Sequence, residues 1–233
     1  MKNCIEWRTG FDLLWQNIMS DRAPGLEDFE VSRFLTDAQD AVVISLYSGT
    51  LGSPFESVEA VTNYLAPLVA QVSYDSKDAV AEELPHVTSG SLIFLLPEDL
   101  LVRTLETCTV NLTGCGETVA SVVPVTQDEY WRTSRDPFKG PNDRRVLRLA
   151  YARNNVDFGV LKEKQYSELV SKNDIVSYTV RYLKRPEPII ISNLENDLSI
   201  NGCTEAQPCK LNEKLHQAIL NEAVRMAKAV WNS

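Results

Sequence analysis

The side chains that could do chemistry in this chain are few and dispersed. Its two histidines, His86 and His216, lie far apart and fall in different predicted elements. His216 follows Leu215 on a terminal helix, which places it at the edge of an apolar stripe rather than in a site. Cys203 and Cys209 have five residues between them and no second pair nearby, so a zinc centre would need distant ligands. Gly49 and Gly52 lack the lysine and the spacing of a phosphate-binding loop. Thr88-Ser89-Gly90-Ser91 offers hydroxyls without an evident base, and no Gly-x-Ser-x-Gly elbow occurs. The residues therefore give no positive support to catalysis, and no catalytic, cofactor-binding or metal-binding residue is expected.

Composition narrows the class further. With 233 residues, 44 % of them hydrophobic and 24 % charged, the chain can bury a sizeable core as one large domain or two small ones. Its 32 acidic residues against 23 basic ones give a net charge of −9. That balance argues against general affinity for nucleic-acid phosphates, which clustered Lys and Arg neutralise. Five cysteines form no even framework and follow no signal-peptide pattern, which predicts free thiols and synthesis in a reducing cytoplasm. The longest apolar run, Ser91 to Leu96, suits a buried strand and is far too short to span a bilayer.

The elements that must position these side chains begin with two helices. Phe11, Leu14, Trp15 and Ile18 share one helical face. After the turn signal at Ala23-Pro24-Gly25, Val31, Phe34, Leu35, Ala38, Ala41, Val42, Ser45 and Leu46 share another. Glu27, Asp28 and Glu30 place negative charge where the second helix starts, and the short connection predicts an antiparallel hairpin. Apart from Ser45, no polar residue falls inside either stripe. Phe55 to Leu65 predicts a short helix with Phe55, Val58, Val61 and Leu65 inward, ended by Pro67. At the other end, Asn212 is a candidate N-cap for a helix whose stripe is Leu215, Ala218, Ile219, Ala223, Met226, Ala227 and Val230.

Between the helices the pattern turns to period two. Val69, Gln71 and Ser73 alternate weakly. Cys108, Val110 and Leu112 alternate with polar residues, Thr113-Gly114-Cys115-Gly116 turns the chain, and Thr118 to Val125 returns as a hairpin. Leu147, Leu149 and Tyr151 share a face, as do Tyr178, Val180 and Tyr182, and Pro186 and Pro188 fix Ile189-Ile190-Ile191 as an extended run. The segment from Thr126 to Arg145 opens with a capping-box spacing, Thr126 to Glu129, and continues into a stiff turn, Asp136-Pro137-Phe138-Lys139-Gly140-Pro141. Phe138 either tucks into the sheet, the commoner fate of such a ring, or meets a partner.

The predicted fold class is α+β: a helical bundle formed by the N-terminal helical hairpin and the C-terminal helix, with an inserted antiparallel β-rich region. The expected divisions are a helical part at 1–66, a β-rich insertion at 67–192, and a linker and closing helix at 193–233.

The order of short motifs along the chain resembles the head-to-tail connector proteins of short-tailed phages, above all the ring proteins of crAss-like phages. The resemblance rests on Phe11 to Ile18 followed by Ser20-Asp21-Arg22-Ala23-Pro24-Gly25-Leu26, on Phe34-Leu35-Thr36-Asp37-Ala38-Gln39, and on Asp128-Glu129-Tyr130 with Pro137-Phe138 and Leu147-Arg148-Leu149. It continues through Tyr182-Leu183-Lys184-Arg185-Pro186 with Pro188-Ile189-Ile190, and through Leu211-Asn212-Glu213-Lys214-Leu215-His216. It implies a virion protein, assembled in the host cytoplasm, that forms a closed ring of twelve copies beneath the portal protein. Such a ring extends the DNA channel without sequence-specific binding and offers a platform to neighbouring tail or ring proteins. It implies no cofactor and no membrane contact. Trp131, Phe138 and Trp231 are the candidate subunit or partner contacts. The competing expectations are a soluble phage-encoded enzyme with an unrecognised site, and a monomeric protein-binding adaptor.

Overall fold

A computed structural model describes residues 2–19, 25–49, 63–80, 86–88, 90–157, 160–195 and 198–231. The described elements, in chain order, are α1 (Cys4–Met19), α2 (Asp28–Tyr47), β1 (Val69–Asp75), β2 (Leu92–Leu95), β3 (Leu100–Leu112), β4 (Gly116–Pro124), α3 (Tyr130–Ser134), β5 (Arg145–Asp157), β6 (Val160–Val170), β7 (Asp174–Lys184) and α4 (Glu213–Trp231). They fall into two compact units, Met1–Leu68 with Arg185–Ser233, and Val69–Lys184.

The second unit is one seven-stranded sheet in the order β1-β7-β3-β4-β5-β6-β2, curled into a half-barrel. Alternation builds it as expected along β3, where Cys108 pairs with Ala120 of β4, and Gly114 and Gly116 turn the hairpin at φ values of 86° and 77° that side chains disfavour. Three register shifts along the β3/β7 ladder, the first between Leu100 and Val102, add local twist and so favour curling. Inside the curl, Cys108, Val110, Ala120, Val146, Leu169, Tyr178 and Val180 form the core. Tyr74, Phe94 and Tyr178 pack ring to ring there, with centroids 5.4, 5.5 and 6.0 Å apart. Tyr130, Leu147, Leu149 and Val170 pack together on the opposite face.

The predicted fold class is overturned. The architecture is not a helical bundle carrying a β insertion but a mostly-strand fold built on the half-barrel, with few helices. The sheet is not wholly antiparallel either. Ser121–Pro124 of β4 runs parallel to Arg145–Arg148 of β5, because the intervening chain carries α3 and the Phe138 turn back before β5 begins. Strand β6 has no period-two signature in the sequence. Its segment ends in Tyr166, Ser167, Glu168, Leu169 and Val170, all buried, so neither face shows the polar alternation that marks a half-buried strand.

In the first unit α4 is the common partner. Both α1 and α2 pack on it, while α1 and α2 meet at few places, so the expected helical hairpin is two helices laid on a third. Arg8 ties α1 to the start of α2, bonding Asp28 at 2.8 Å and the Leu26 carbonyl at 2.8 Å. Gly10 sits where α1 crosses α4, and a Cβ there would lie 3.2 Å from the Leu220 side chain. Asn212 caps α4 as expected, its carboxamide oxygen accepting the Lys214 N–H at 3.1 Å. The stripe of α4 is wider than expected, because two helices cover it: His216, Leu220 and Val224 are buried, whereas Val230 is exposed. Of the short helix expected from Phe55 to Leu65, all but 63–65 lies outside the described residues; Leu65 is buried.

Helix α2 buries polar side chains that its apolar stripe did not announce. Ser32, Thr36 and Gln39, one helical turn apart, are fully buried and take up the backbone of the 187–191 run. Gln39 Nε2 donates to the Glu187 carbonyl at 2.8 Å, the Ile189 N–H donates to Thr36 Oγ1 at 3.1 Å, and the Ile191 N–H donates to Ser32 Oγ at 3.0 Å. Ile190 turns the other way and exchanges two bonds with Gln207, at 2.9 and 3.0 Å. A helix thus stands where a neighbouring strand would, supplying side-chain partners for buried backbone groups. Replacing Thr36 with Val keeps the shape but strands the Ile189 N–H. Urea unfolding of Thr36→Val is expected to show a loss of about 1–3 kcal/mol; a loss within error of zero would show that the ladder contributes nothing net.

Candidate intersubunit surface

The clearest surface feature lies between β4 and β5. Helix α3 starts after Glu129, and the expected capping box does not form: the Thr126 hydroxyl instead bonds the Asp128 carboxylate and holds it below the usual carboxylate range. The chain then closes a tight turn on Asp136, whose carboxylate accepts the N–H groups of Phe138 and Lys139 at 2.8 and 3.3 Å. The Gly140 N–H reaches the Asp136 carbonyl at 2.7 Å. A Cβ at Gly140 would lie 2.8 Å from the carbonyl oxygens of Ser134 and Asp136, so only glycine fits. The Arg145 guanidinium donates to the Phe138 carbonyl and pins the turn to the first residue of β5.

This stiff turn holds Phe138 84 % exposed. The commoner expectation, a ring tucked into the sheet, is therefore wrong, because the Asp136 and Arg145 bonds fix the backbone with the side chain outward. Trp131 on α3 is 57 % exposed and lies under the Arg135 guanidinium, 5.7 Å from the ring centroid. Its neighbour Tyr130 is buried beneath it in edge contact, centroids 5.3 Å apart. Between α3, the turn and the end of β4 is a cleft of about 490 Å³. Val123, Pro124, Val125 and Phe138 give it apolar lining, and Arg132, Lys139 and Arg145 give its charged lining a positive excess over Glu129 and Asp136. The sequence singled out Trp131 and Phe138 but not this basic rim. Its cations are separated by up to 13 positions, and only the turn brings them together.

Trp231 belongs to the other unit. It is 55 % exposed at the end of α4, next to exposed Val230. The structure thus presents all three predicted aromatics to solvent and brings two of them, Trp131 and Phe138, to one neighbourhood. Exposed Ile5 and Leu13 on α1, and Ile44 and Tyr47 on α2, add apolar surface to the helical unit.

The groups first considered for chemistry are engaged in structure. His216, expected at a stripe edge, is 2 % exposed. Its Nε2 faces the Leu211 carbonyl at 3.2 Å, its ring meets Trp7 at 4.9 Å, and burial lowers its pKa. Ser91 is buried between His86 Nδ1, 2.9 Å away, and the fully buried Glu168, to which its hydroxyl donates; Glu168 also accepts the Val87 N–H at 2.7 Å. The Ser91 hydroxyl also lies 2.9 Å from the Thr88 carbonyl, so it is held among structural partners. All five cysteines are free thiols; burial pushes Cys108 up to about 12 and Cys209 up to about 11, far from a reactive thiolate. Among the described residues no three His, Cys, Asp or Glu side chains converge as metal ligands, and no helix is long and apolar enough to cross a membrane.

Rigidly displayed aromatics beside a charged cleft, with Ser91, Glu168 and His216 held in the core, suit contacts between protein subunits. The chain belongs to the phage tail ring protein 3/4 family, whose model matches residues 2–233. It is 35 % identical to ring protein 3 of Bacteroides phage crAss001 over 95 % of this chain and 93 % of that protein. It is 30 % identical to ring protein 4/5 of the same phage over 98 % of this chain and 93 % of that protein. It is a structural ring protein of a virion, assembling with other tail or ring components.

Proposed function

We propose that the protein closes into a ring of twelve copies in the head-to-tail connector below the portal, where it extends the DNA channel and gives the next tail component a docking platform. Membership of the tail ring family carries this reading. The surface supports it: Phe138 and Trp131 on a braced turn, and Trp231 on α4, are the contacts proposed between copies or with neighbouring proteins. A ring uses heterologous contacts that close after a full rotation, and stable interfaces of this kind bury roughly 2,000 Å² or more. Assembly takes place in the host cytoplasm before the virion is complete. DNA passes an acidic lumen without being held, a reading supported by the net charge of −9.

The test is the mass of the purified protein across concentration, with particles imaged from the same sample. Closed rings, or a monomer that joins rings once portal is added, are expected. A strictly monomeric protein with no affinity for portal would remove the proposal.

A further inference from the structure

A ring in which every copy makes the same heterologous contact needs two different surfaces on each copy, one to receive and one to insert. This inference rests on the ring reading and asks which two surfaces meet. The Phe138 cleft suits a receiving surface: a concavity with apolar lining from Val123, Pro124 and Val125, an exposed aromatic ring, and a rim whose three cations exceed the two carboxylates of Glu129 and Asp136. That rim is anomalous in a chain of net charge −9, because the acidic excess is concentrated elsewhere. The unit containing the cleft carries 16 acidic and 14 basic residues, whereas the helical unit carries 16 acidic and only 9 basic.

Each helix of that acidic unit has an outward face that could serve as the insert, and charge discriminates among them. The outward face of α4 bears Lys214, Arg225 and Lys228 against exposed Glu213 and the Arg225-paired Glu222, a net positive side that would not favour the rim. That of α1 offers Ile5 and Leu13 with the single carboxylate of Glu6. The outward face of α2 has both required properties. Glu27, Glu30 and Asp37 are exposed against the single guanidinium of Arg33, and Ile44 and Tyr47 continue the same side of the helix as exposed apolar side chains. Glu30, Asp37 and Ile44 recur at seven-residue spacing, which keeps them on one line along the helix. We infer that the Phe138 cleft of one copy receives the outward face of α2 from a second copy of this chain. The acidic turns of α2 lie on Arg132, Lys139 and Arg145, and the apolar end lies along Phe138. Opposite charge at the rim sets the register and rejects the basic face of α4.

The inference is tested by disulfide trapping between two different variants of the full chain, mixed and oxidised. Both carry Cys115→Ser to remove the exposed native thiol. One carries Lys139→Cys on the cleft rim, and the other carries Asp37→Cys on α2. A control pairs Lys139→Cys with Asn221→Cys on the outward face of α4. All three positions are exposed, so folding is retained, and Glu30→Cys serves as a second α2 probe. Residues held together react at millimolar effective concentration, so the rim and α2 pair is expected to give about tenfold more mixed dimer than the control. The mass of the same samples before oxidation reports assembly. Rings with mixed dimer no higher than the control for both α2 probes would overturn this inference and leave the ring standing. No assembly in any sample, with no mixed dimer, would overturn both.

Discussion

Glu106→Gln is expected to cost about 3–5 kcal/mol of stability. Glu106 lies inside the half-barrel, its Oε2 2.9 Å from Arg148 Nε, and each of the two side chains is only 9 % exposed. The Tyr178 hydroxyl donates to the other carboxylate oxygen, and burial together with the Glu106 charge pushes the Tyr178 pKa up. Arg103 belongs to the same interior, its pKa lowered by burial and then by Arg148, with Glu106 opposing. Neutralising the carboxylate removes the ion-pair partner of the buried Arg148 guanidinium, and a buried charge that loses its partner costs far more than a lost surface pair. The measurement is the urea midpoint of the Gln variant against the parent. A companion variant, Glu106→Leu with Arg148→Met, removes both charges of the pair and is expected to recover more than half of the loss. A Gln variant as stable as the parent would show that water reaches the pair and screens it.

The second large effect is expected in assembly rather than in stability. Phe138→Ser should leave the unfolding midpoint of the monomer unchanged, because the ring is 84 % exposed and the turn beneath it is held by Asp136 and Arg145. In a contact between copies, however, a rigid aromatic that needs no ordering on binding has the character of a hot spot. Its removal is expected to cost about 2 kcal/mol or more per contact, about 30-fold in dissociation constant. Because every contact in a ring carries the same change, the concentration at which rings appear should shift by more than a single contact implies. Mass across concentration for Phe138→Ser beside the parent decides it. Equal assembly would remove Phe138 from the interface, and a lowered unfolding midpoint would show that the side chain supports the fold instead.

Local rules determined much of this protein. Period 3.6 gave α2 and α4, and residues with charge or capping ability marked their starts at Glu27 and Asn212, since those signals need only a few consecutive residues. Period two gave β3, β4, β5 and β7, and the paired glycines gave the hairpin at 113–116. The family, too, was legible in short motifs taken in order. Tertiary structure alone decided the rest, where a residue's environment comes from chain distant in sequence. Strand β6 stayed hidden because Ser167 and Glu168 are buried against partners as remote as Ser91. The polar face of α2 stayed hidden because Ser32, Thr36 and Gln39 answer to backbone more than 140 residues away. The weight of the fold shifted from helices to sheet for the same reason: periodicity reveals each element, but how strands order, curl and cover one another depends on long-range pairing. The cleft beside Phe138 follows the same logic. An aromatic in a proline-rich turn is visible in the sequence, whereas its exposure and its basic rim exist only once Asp136, Gly140 and Arg145 have closed the turn.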